Sequence, residues 1–187
     1  LPSLQVLVSA IFRQLKWTKY YSNSNFKLNT TNIPEVDFED DSLLIVFVLG
    51  ESVRADHLQI NGYERETTPL LENKDNLISF RKLFTENTYT GISVPQILTN
   101  QNLYDNNDSE YISIYTIANK AAFETTWIGN QIPTKSFIEI VNQNSNIYLI
   151  DKYRSDYSFN RKKDLDMIPI LDSILTKHSR QFITVHM

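Results

Sequence analysis

The chain has 187 residues, enough for one domain with a sizeable core, and its 41% hydrophobic and 21% charged residues are ordinary for a globular protein. A net charge of −4 gives no reason to expect binding to nucleic acid, and zero cysteines exclude disulfides and thiolate metal sites. Any metal must therefore be held by carboxylates, hydroxyls or imidazoles.

The N-terminal residues 1–19 place apolar side chains at helical spacing and end in a basic cluster around Trp17. Arg13 interrupts the apolar stretch, which is therefore too short to span a bilayer. Two interpretations stay open: an interfacial helix that lies on a membrane, or an amphipathic helix packed on the domain. Residues 20–42 are polar and then acidic, as in a linker.

These patterns predict a membrane-proximal segment and linker at 1–42, followed by a domain at 43–187. The chain begins with leucine and stops within an apolar run, so we interpret it as a fragment of a longer protein.

From residue 43 onward, short apolar runs alternate with helical patterns. The continuous run "LLIVFVLG" predicts a strand that is buried on both faces. Strands separated by helices predict an α/β fold, with a mostly parallel sheet covered by helices. The later predicted strands lie at 125–130, 146–151 and 181–186, and the predicted helices at 111–123 and 165–178.

Glu51 follows the first strand directly after Gly50, which would let the backbone turn sharply. Ligands of open α/β sheets bind outside the carboxyl ends of the strands. Glu51 therefore belongs either to a metal or phosphate site or to the solvated first turn of a helix. Asp56 and His57 either join such a site or face solvent, and Arg65 could pair with Glu51, Asp56 or a phosphate.

A second candidate segment, residues 84–99, is rich in hydroxyl side chains. Pro95 suits the first turn of a helix, and Ser93 is a candidate N-cap. Thr90 would then lie just before a helix N-terminus, where free N–H groups favour an anion. A threonine hydroxyl that attacks phosphate is one interpretation, and a capping and turn segment is the other.

These two segments, in this order, resemble the lipid A and lipopolysaccharide phosphoethanolamine transferases, which include those behind mobile colistin (polymyxin) resistance. Three motifs carry the resemblance: "GESVRAD", "NGYERET" and "TGISVP". The match is close over residues 43–100 and looser to the end. It implies the alkaline phosphatase/sulfatase-like fold, with this chain as the N-terminal part of the catalytic domain only.

The resemblance also implies roles for particular residues. Glu51 matches a zinc ligand, and Thr90 matches the nucleophile, which also contacts zinc and becomes modified with phosphoethanolamine. Asn130, Gln131 and His186 match positions assigned to substrate binding, His186 being similar to the first histidine of an H-x-M-G-x-H segment. The Asp-His pair that would complete the zinc site belongs to a later segment that these 187 residues do not contain.

One departure concerns rigidity, because the family flanks its nucleophile with a disulfide where this chain has Glu86 and Gln96. The function implied is zinc-dependent transfer of phosphoethanolamine from phosphatidylethanolamine to lipid A or a lipopolysaccharide sugar. The resemblance also implies that the protein is located in the bacterial inner membrane, with upstream membrane helices as its anchor and the catalytic domain facing the periplasm.

Two alternatives remain. One is another phosphoryl transferase or phosphodiesterase of the superfamily, although a sulfatase proper would need a C/S-x-P-x-R motif that does not surround Thr90. The other is a truncated, non-catalytic fragment that binds a lipid head group.

Overall fold

The structure is a computed structural model that describes residues 27–31, 33, 35, 42–85, 87–102, 109–133, 136–150, 162–175 and 179–187. The predicted helix over 1–19 and most of the predicted linker lie outside these residues, so the boundary between residues 42 and 43 stays a prediction. Within the described ranges no helix is long and apolar enough to cross a bilayer.

In the described part of the chain six strands form two parallel sheets, and the predicted α/β fold with its mostly parallel sheet is confirmed. The strands are β1 (Lys27–Leu28), β2 (Leu44–Leu49), β3 (Glu110–Tyr111), β4 (Glu124–Gly129), β5 (Asn146–Leu149) and β6 (Gln181–His186). The main sheet has the order β2-β6-β4-β5, and β1 pairs with β3 in the second. β1 lies within the segment whose composition predicts a linker.

Among the described residues, four α-helices accompany the sheet: α1 (Thr90–Leu98), α2 (Ile114–Lys120), α3 (Ile138–Val141) and α4 (Ile168–Leu175). α2 is shorter than the prediction because its ends are set by local hydrogen bonds and backbone geometry. The Ser113 hydroxyl accepts a hydrogen bond from the Thr116 N–H at 3.0 Å, and Ala122 adopts a left-handed φ of 59° just after the helix. Before α4, Asp164–Met167 form a 3-10 turn.

The apolar side chains gather in a separate cluster on each face of the sheet. Neighbouring residues of β4 point to opposite faces, so Trp127 enters one cluster and Ile128 the other. The first contains residues of α1, α2 and α3, and the second contains Ile174 of α4. The described part of the chain therefore has a helix–sheet–helix arrangement.

β2 differs from the prediction that both of its faces are buried. It is an edge strand of the main sheet, and the alternating side chains of Leu44, Val46 and Val48 are 50%, 39% and 55% exposed. Ile45 and Phe47, on the other face, are partly buried. No element among the described residues covers the exposed face, so a continuous apolar run here does not mean burial on both faces.

The strand register brings the predicted site residues to one edge. In the main sheet Leu49 of β2 and Gly129 of β4 are both aligned with His186 of β6. Because all four strands are parallel, their carboxyl ends lie at the same edge. The residues that follow β2 and β4 therefore come close to His186 although they are far apart in the sequence.

Candidate active site

The centre of the candidate site is a contact between Glu51 and Thr90. The Thr90 Oγ1 lies 3.1 Å from each carboxylate oxygen of Glu51, and its hydroxyl donates to that carboxylate. The two residues are 39 positions apart, so only the tertiary fold can join them. The structure thus brings together the residues predicted as metal ligand and nucleophile, although the roles themselves stay predictions.

Glu51 lies between Gly50 and a residue with a rare backbone conformation, Ser52. Ser52 has a φ of 53°, the left-handed region that non-glycine residues rarely adopt. Gly50 has no positive φ, and a Cβ at this position would lie 3.3 Å from a methyl carbon of Val53, so the glycine allows close packing beside the turn. Backbone strain of this kind is concentrated at functional sites, which agrees with the position of Ser52 beside the candidate site.

Thr90 is the first residue of α1, which begins earlier than predicted. Tyr89 occupies the N-cap position and offers no side-chain cap, so Ser93 is not the N-cap and Pro95 lies in the second turn. The N–H groups of a helix's first turn lack partners within the helix and favour an anion. An uncapped start places such groups beside the Thr90 hydroxyl.

Gly91 has a steric role beside Thr90. A Cβ at this position would lie 2.6 Å from a ring carbon of Tyr89 and 3.1 Å from the Ser136 Oγ. Any larger residue would push the Tyr89 ring or Ser136 away from the first turn of α1. The glycine of the "TYTG" motif is therefore explained by close packing rather than by an unusual φ.

His186 lies behind Glu51 and is fully buried. Its Nε2 is 3.4 Å from Glu51 Oε1, beyond the usual length of a hydrogen bond, and neither ring nitrogen has a hydrogen-bond partner among the described residues. The rings of Trp127 and Phe137 lie 5.3 Å and 6.0 Å from the imidazole. Burial lowers the pKa of His186, and the charges of Glu51 and Asp164 offset part of that shift.

The predicted substrate-binding amides, Asn130 and Gln131, lie at the same edge but are engaged in contacts within the protein. Asn130 donates from Nδ2 to Asp164 Oδ1 at 2.8 Å, and its backbone N–H donates to the carbonyl of His186. Gln131 Nε2 donates to the Met187 carbonyl at 2.9 Å. Their role in substrate binding, like that of His186, stays a prediction.

Three charged residues near β2 take no part in the Glu51–Thr90 contact. Asp56 is exposed and pairs with Arg54 at 2.7 Å and with His57 at 3.0 Å, and these contacts hold the pKa of its carboxyl well below the usual range. Asp56 and His57 therefore face solvent, which was one of the two interpretations. Arg65 is exposed and pairs with neither Glu51 nor Asp56.

Trp127, Phe137 and Asp164 belong to this region but are not among the sequence-predicted site residues. Trp127 sits two positions before the carboxyl end of β4. Because ligands bind near the carboxyl ends of strands in such sheets, this position in the sequence could have indicated a site residue. Phe137 and Asp164 come from elements beyond β4, and no local pattern in the sequence indicates that they approach His186 or Asn130.

Zinc fits the donor groups that the site presents. The Glu51 carboxylate, the Thr90 hydroxyl and the imidazole of His186 are all groups that can bind this ion, and His186 is buried with both ring nitrogens free of hydrogen bonds to described residues. The described residues contain no group of three or more His, Cys, Asp or Glu side chains placed to hold a metal. Since zinc takes about four ligands, these residues account for part of a site.

We therefore expect the 187-residue chain to bind zinc only weakly. After dialysis of the zinc-loaded protein, elemental analysis should find far less than one zinc per chain, with Glu51→Gln lowering it further. The chemically similar but distant Glu64→Gln is the control, since Glu64 is exposed and outside the site. One zinc per chain retained through dialysis would contradict the inference that ligands are lacking.

Comparison with known families shows a match to the sulfatase model over residues 44–187. Among curated proteins, the chain is 44% identical over 70 residues to the phosphatidylethanolamine transferase Mcr-2 of Escherichia coli, which covers 36% of the chain and 13% of that protein. It is 33% identical over 117 residues to the phosphoethanolamine transferase EptC of E. coli K12, covering 56% of the chain and 20% of the relative. The predicted resemblance is confirmed.

Solved structures show the same fold. The zinc complex of the C-terminal periplasmic domain of EptC from E. coli superimposes with a TM-score of 0.69 at 26% identity, covering 87% of the chain and 45% of that domain. The integral membrane lipooligosaccharide phosphoethanolamine transferase A of Neisseria meningitidis gives a TM-score of 0.71 at 22% identity, covering 94% of the chain and 34% of that protein. The chain thus spans less than half the length of these relatives, and the alkaline phosphatase/sulfatase-like fold is confirmed for part of the domain.

Proposed function

The chain belongs to the sulfatase family, and from that premise we propose that it forms the N-terminal part of the catalytic domain of a phosphoethanolamine transferase. The donor is phosphatidylethanolamine, and the acceptor is lipid A or a lipopolysaccharide sugar. The relatives named phosphoethanolamine and phosphatidylethanolamine transferases support the donor and the transferred group. A relative named Kdo(2)-lipid A phosphoethanolamine 7''-transferase, 39% identical over 69 residues, supports the acceptor.

The observation that carries the proposal is the contact between the Thr90 Oγ1 and both oxygens of Glu51 at 3.1 Å. A transferase that forms a covalent intermediate needs a hydroxyl whose proton has an acceptor and whose oxygen faces the incoming phosphorus. Thr90 meets the first need through Glu51. It meets the second by its place at the uncapped start of α1, where N–H groups can bind phosphate oxygens.

In the proposed reaction, the Thr90 Oγ1 attacks the phosphorus of phosphatidylethanolamine and forms a new P–O bond. The P–O bond to diacylglycerol breaks, and diacylglycerol leaves as the alcohol after gaining a proton. An acceptor hydroxyl or phosphate oxygen then attacks the same phosphorus and releases Thr90. Splitting the transfer into two displacements lowers the barrier of each.

The chain's own residues prepare the first displacement. Glu51 accepts the hydrogen bond of the Thr90 hydroxyl, and the buried His186, 3.4 Å away, lies behind the Glu51 carboxylate. Trp127 and Phe137 fix the imidazole from the side and exclude water from behind Glu51. A carboxylate alone is a weak base for a threonine hydroxyl, and a bound zinc would supply the additional lowering of the hydroxyl pKa and neutralise phosphate charge. Glu51 and Thr90 would hold that zinc, with further ligands from the rest of the protein.

We place the complete protein in the bacterial inner membrane with this domain at the periplasmic face. The support is that one structural relative is a periplasmic domain and another is an integral membrane protein. Both substrates of the proposed reaction are lipids or lipid-linked sugars, so a membrane-anchored enzyme would meet them without extraction from the bilayer. A role in polymyxin resistance would follow from the positive charge that phosphoethanolamine adds to lipid A.

The test is the transfer of labelled phosphoethanolamine from phosphatidylethanolamine to lipid A by the complete enzyme. We expect Glu51→Gln to lower the rate by at least about 100-fold, because removing even an outer-shell partner of a metal costs roughly 10–100-fold. Glu64→Gln, the exposed control, should leave the rate unchanged. Release of free phosphoethanolamine into water without transfer to any acceptor would indicate the phosphodiesterase alternative, and full transfer by Glu51→Gln would contradict the proposal.

A further inference from the structure

We propose that Asn87 and Gln96 are positioning residues that lock the segment before Thr90 onto α1. Asn87 Nδ2 donates to Gln96 Oε1 at 2.8 Å, and both side chains are partly buried. Asn87 lies three positions before Thr90, whereas Gln96 lies in the second turn of the helix that Thr90 begins. The hydrogen bond therefore closes a loop around the first turn of α1.

A second set of hydrogen bonds holds the backbone of the same residue. The Asn87 carbonyl accepts from the Ser93 Oγ at 2.8 Å and from the Thr85 Oγ1 at 2.9 Å. Ser93 also donates to the carbonyl of Tyr89, the residue just before α1, at 3.0 Å. Asn87 is thus held through both its side chain and its backbone carbonyl. We call Thr85, Asn87, Ser93 and Gln96 the Asn87 clamp.

The clamp addresses a weakness at the start of α1. Tyr89 gives no side-chain cap, so the first turn is held by the bonds from the Ile92 and Ser93 N–H groups to the Tyr89 carbonyl and is prone to fray. Residues 81–85, 88 and 89 are exposed and add little packing to hold the approach to the helix. Fraying would move the Thr90 Oγ1 away from Glu51, since the hydroxyl belongs to the first helical residue. The clamp does not cap the N–H groups of this turn, but it ties the helix through Ser93 and Gln96 to the segment that precedes it.

Apolar packing fixes α1 further along. Val94 and Leu98 are 3% and 0% exposed and belong to the apolar cluster that includes Trp127. These residues lie one turn or more beyond Thr90, so they hold the middle and end of the helix against the sheet. The position of the first turn depends on the clamp, and the proposed role of Thr90 makes that position important for transfer.

The test measures amide hydrogen exchange of the 187-residue chain at Ile92 and Ser93, whose N–H groups bond to the Tyr89 carbonyl. We expect Asn87→Ala and Gln96→Ala each to speed this exchange by about fivefold to tenfold, as the loss of one partly buried hydrogen bond predicts. The double variant should be no faster than either single variant, because both remove the same bond. Exchange at Ile128, which is fully buried in the central strand β4, should not change.

Asn76→Ala is the matched control, since Asn76 is an exposed asparagine outside the clamp, and its exchange should equal that of the unaltered chain. Unchanged exchange in both single variants, or effects that add in the double variant, would overturn the clamp. Equal acceleration at Ile128 would also overturn it, because the variants would then be acting on global stability. None of these hydrogen-exchange measurements requires enzymatic activity.

A second readout rests on the proposed function. In the complete enzyme, Asn87→Ala should lower kcat for phosphoethanolamine transfer and leave KM for phosphatidylethanolamine near its original value. The reason is that the clamp fixes the position of the Thr90 hydroxyl and does not contact the lipid. A change in KM alone would contradict a positioning role. Absence of transfer in the unaltered enzyme would contradict the proposed function and leave the exchange result on the clamp standing.

Discussion

Replacing Thr90 with alanine is expected to abolish phosphoethanolamine transfer in the complete enzyme. The loss should be roughly 10⁴-fold or more, the scale seen when the nucleophile of a covalent mechanism is removed. Thr90 Oγ1 is in hydrogen-bond contact with both oxygens of Glu51, and the residue begins α1 without a side-chain cap. No other hydroxyl among the described residues makes a hydrogen bond to Glu51.

The covalent intermediate gives this prediction a direct readout. Mass spectrometry of the enzyme mixed with phosphatidylethanolamine alone should find added phosphoethanolamine on the peptide that spans residues 83–99. The modification should map to Thr90 and disappear in Thr90→Ala. Thr90→Ser should retain part of the transfer activity, because serine keeps the hydroxyl and loses only the methyl group that restricts its χ1 angle.

Thr85 and Thr88 are the controls within the same peptide. The Thr85 Oγ1 donates to the Asn87 carbonyl, so Thr85→Ala should lower the rate modestly through the clamp without removing the modification. Thr88 is exposed, and Thr88→Ala should leave transfer close to normal. A modification found on Thr88, or full activity in Thr90→Ala, would assign the nucleophile to another residue.

Replacing Trp127 with alanine is expected to cost about 3–5 kcal/mol in the free energy of unfolding of the 187-residue chain. Trp127 is fully buried in the middle of the first apolar cluster, with its ring 6.4 Å from the rings of both Tyr115 and Phe137. Small domains are stable by only about 5–15 kcal/mol, so this loss would populate the unfolded state. Urea denaturation followed by circular dichroism measures it as a lower midpoint.

Trp127→Phe separates packing from polarity at this position. The Trp127 Nε1 is buried and has no hydrogen-bond partner among the described residues, so phenylalanine removes an unsatisfied donor while leaving a smaller cavity than alanine. We expect its cost to be less than half that of Trp127→Ala. Phe84→Ala, at a position 85% exposed, is the matched aromatic control and should change the free energy by less than about 0.5 kcal/mol. Equal costs for Trp127→Ala and Phe84→Ala would contradict the assigned core.

The same substitution should affect the candidate site, because Trp127 also lies 5.3 Å from His186. Loss of the indole leaves the imidazole room to turn away from Glu51, so a stabilised Trp127→Ala variant would still bind zinc less well than the unaltered chain. The site is therefore held by the same core cluster that holds the fold.

The alternation of apolar runs and helical spacing was sufficient to predict four strands of the main sheet and their parallel arrangement. That pattern works because strands buried in a parallel sheet are mostly apolar, and the crossover between parallel strands is usually a helix. Glu51 and Thr90 were also recognisable, through motifs in which the glycine after Thr90 is required by the close approach of Tyr89.

Other features were decided only by the tertiary structure, because they depend on neighbours that are distant in the sequence. The exposed face of β2 follows from its place at the edge of the sheet, which its apolar sequence does not reveal. The sharp turn after Glu51 falls on Ser52, where no sequence rule favours a positive φ. The start of α1 at Thr90 depends on Asn87 and its partners, since the local signals of Ser93 and Pro95 pointed to a later start.

The contact between Glu51, Thr90 and His186 shows most clearly what the sequence predicts and what only the tertiary structure determines. Residue types and motif spacing identified the three side chains individually. Their distances of 3.1 Å and 3.4 Å require the register that aligns Leu49 with His186 and the packing of α1 on the sheet through Val94 and Leu98. Contacts across 39 and 135 positions cost chain entropy that local preferences cannot offset, so only the assembled core can hold them.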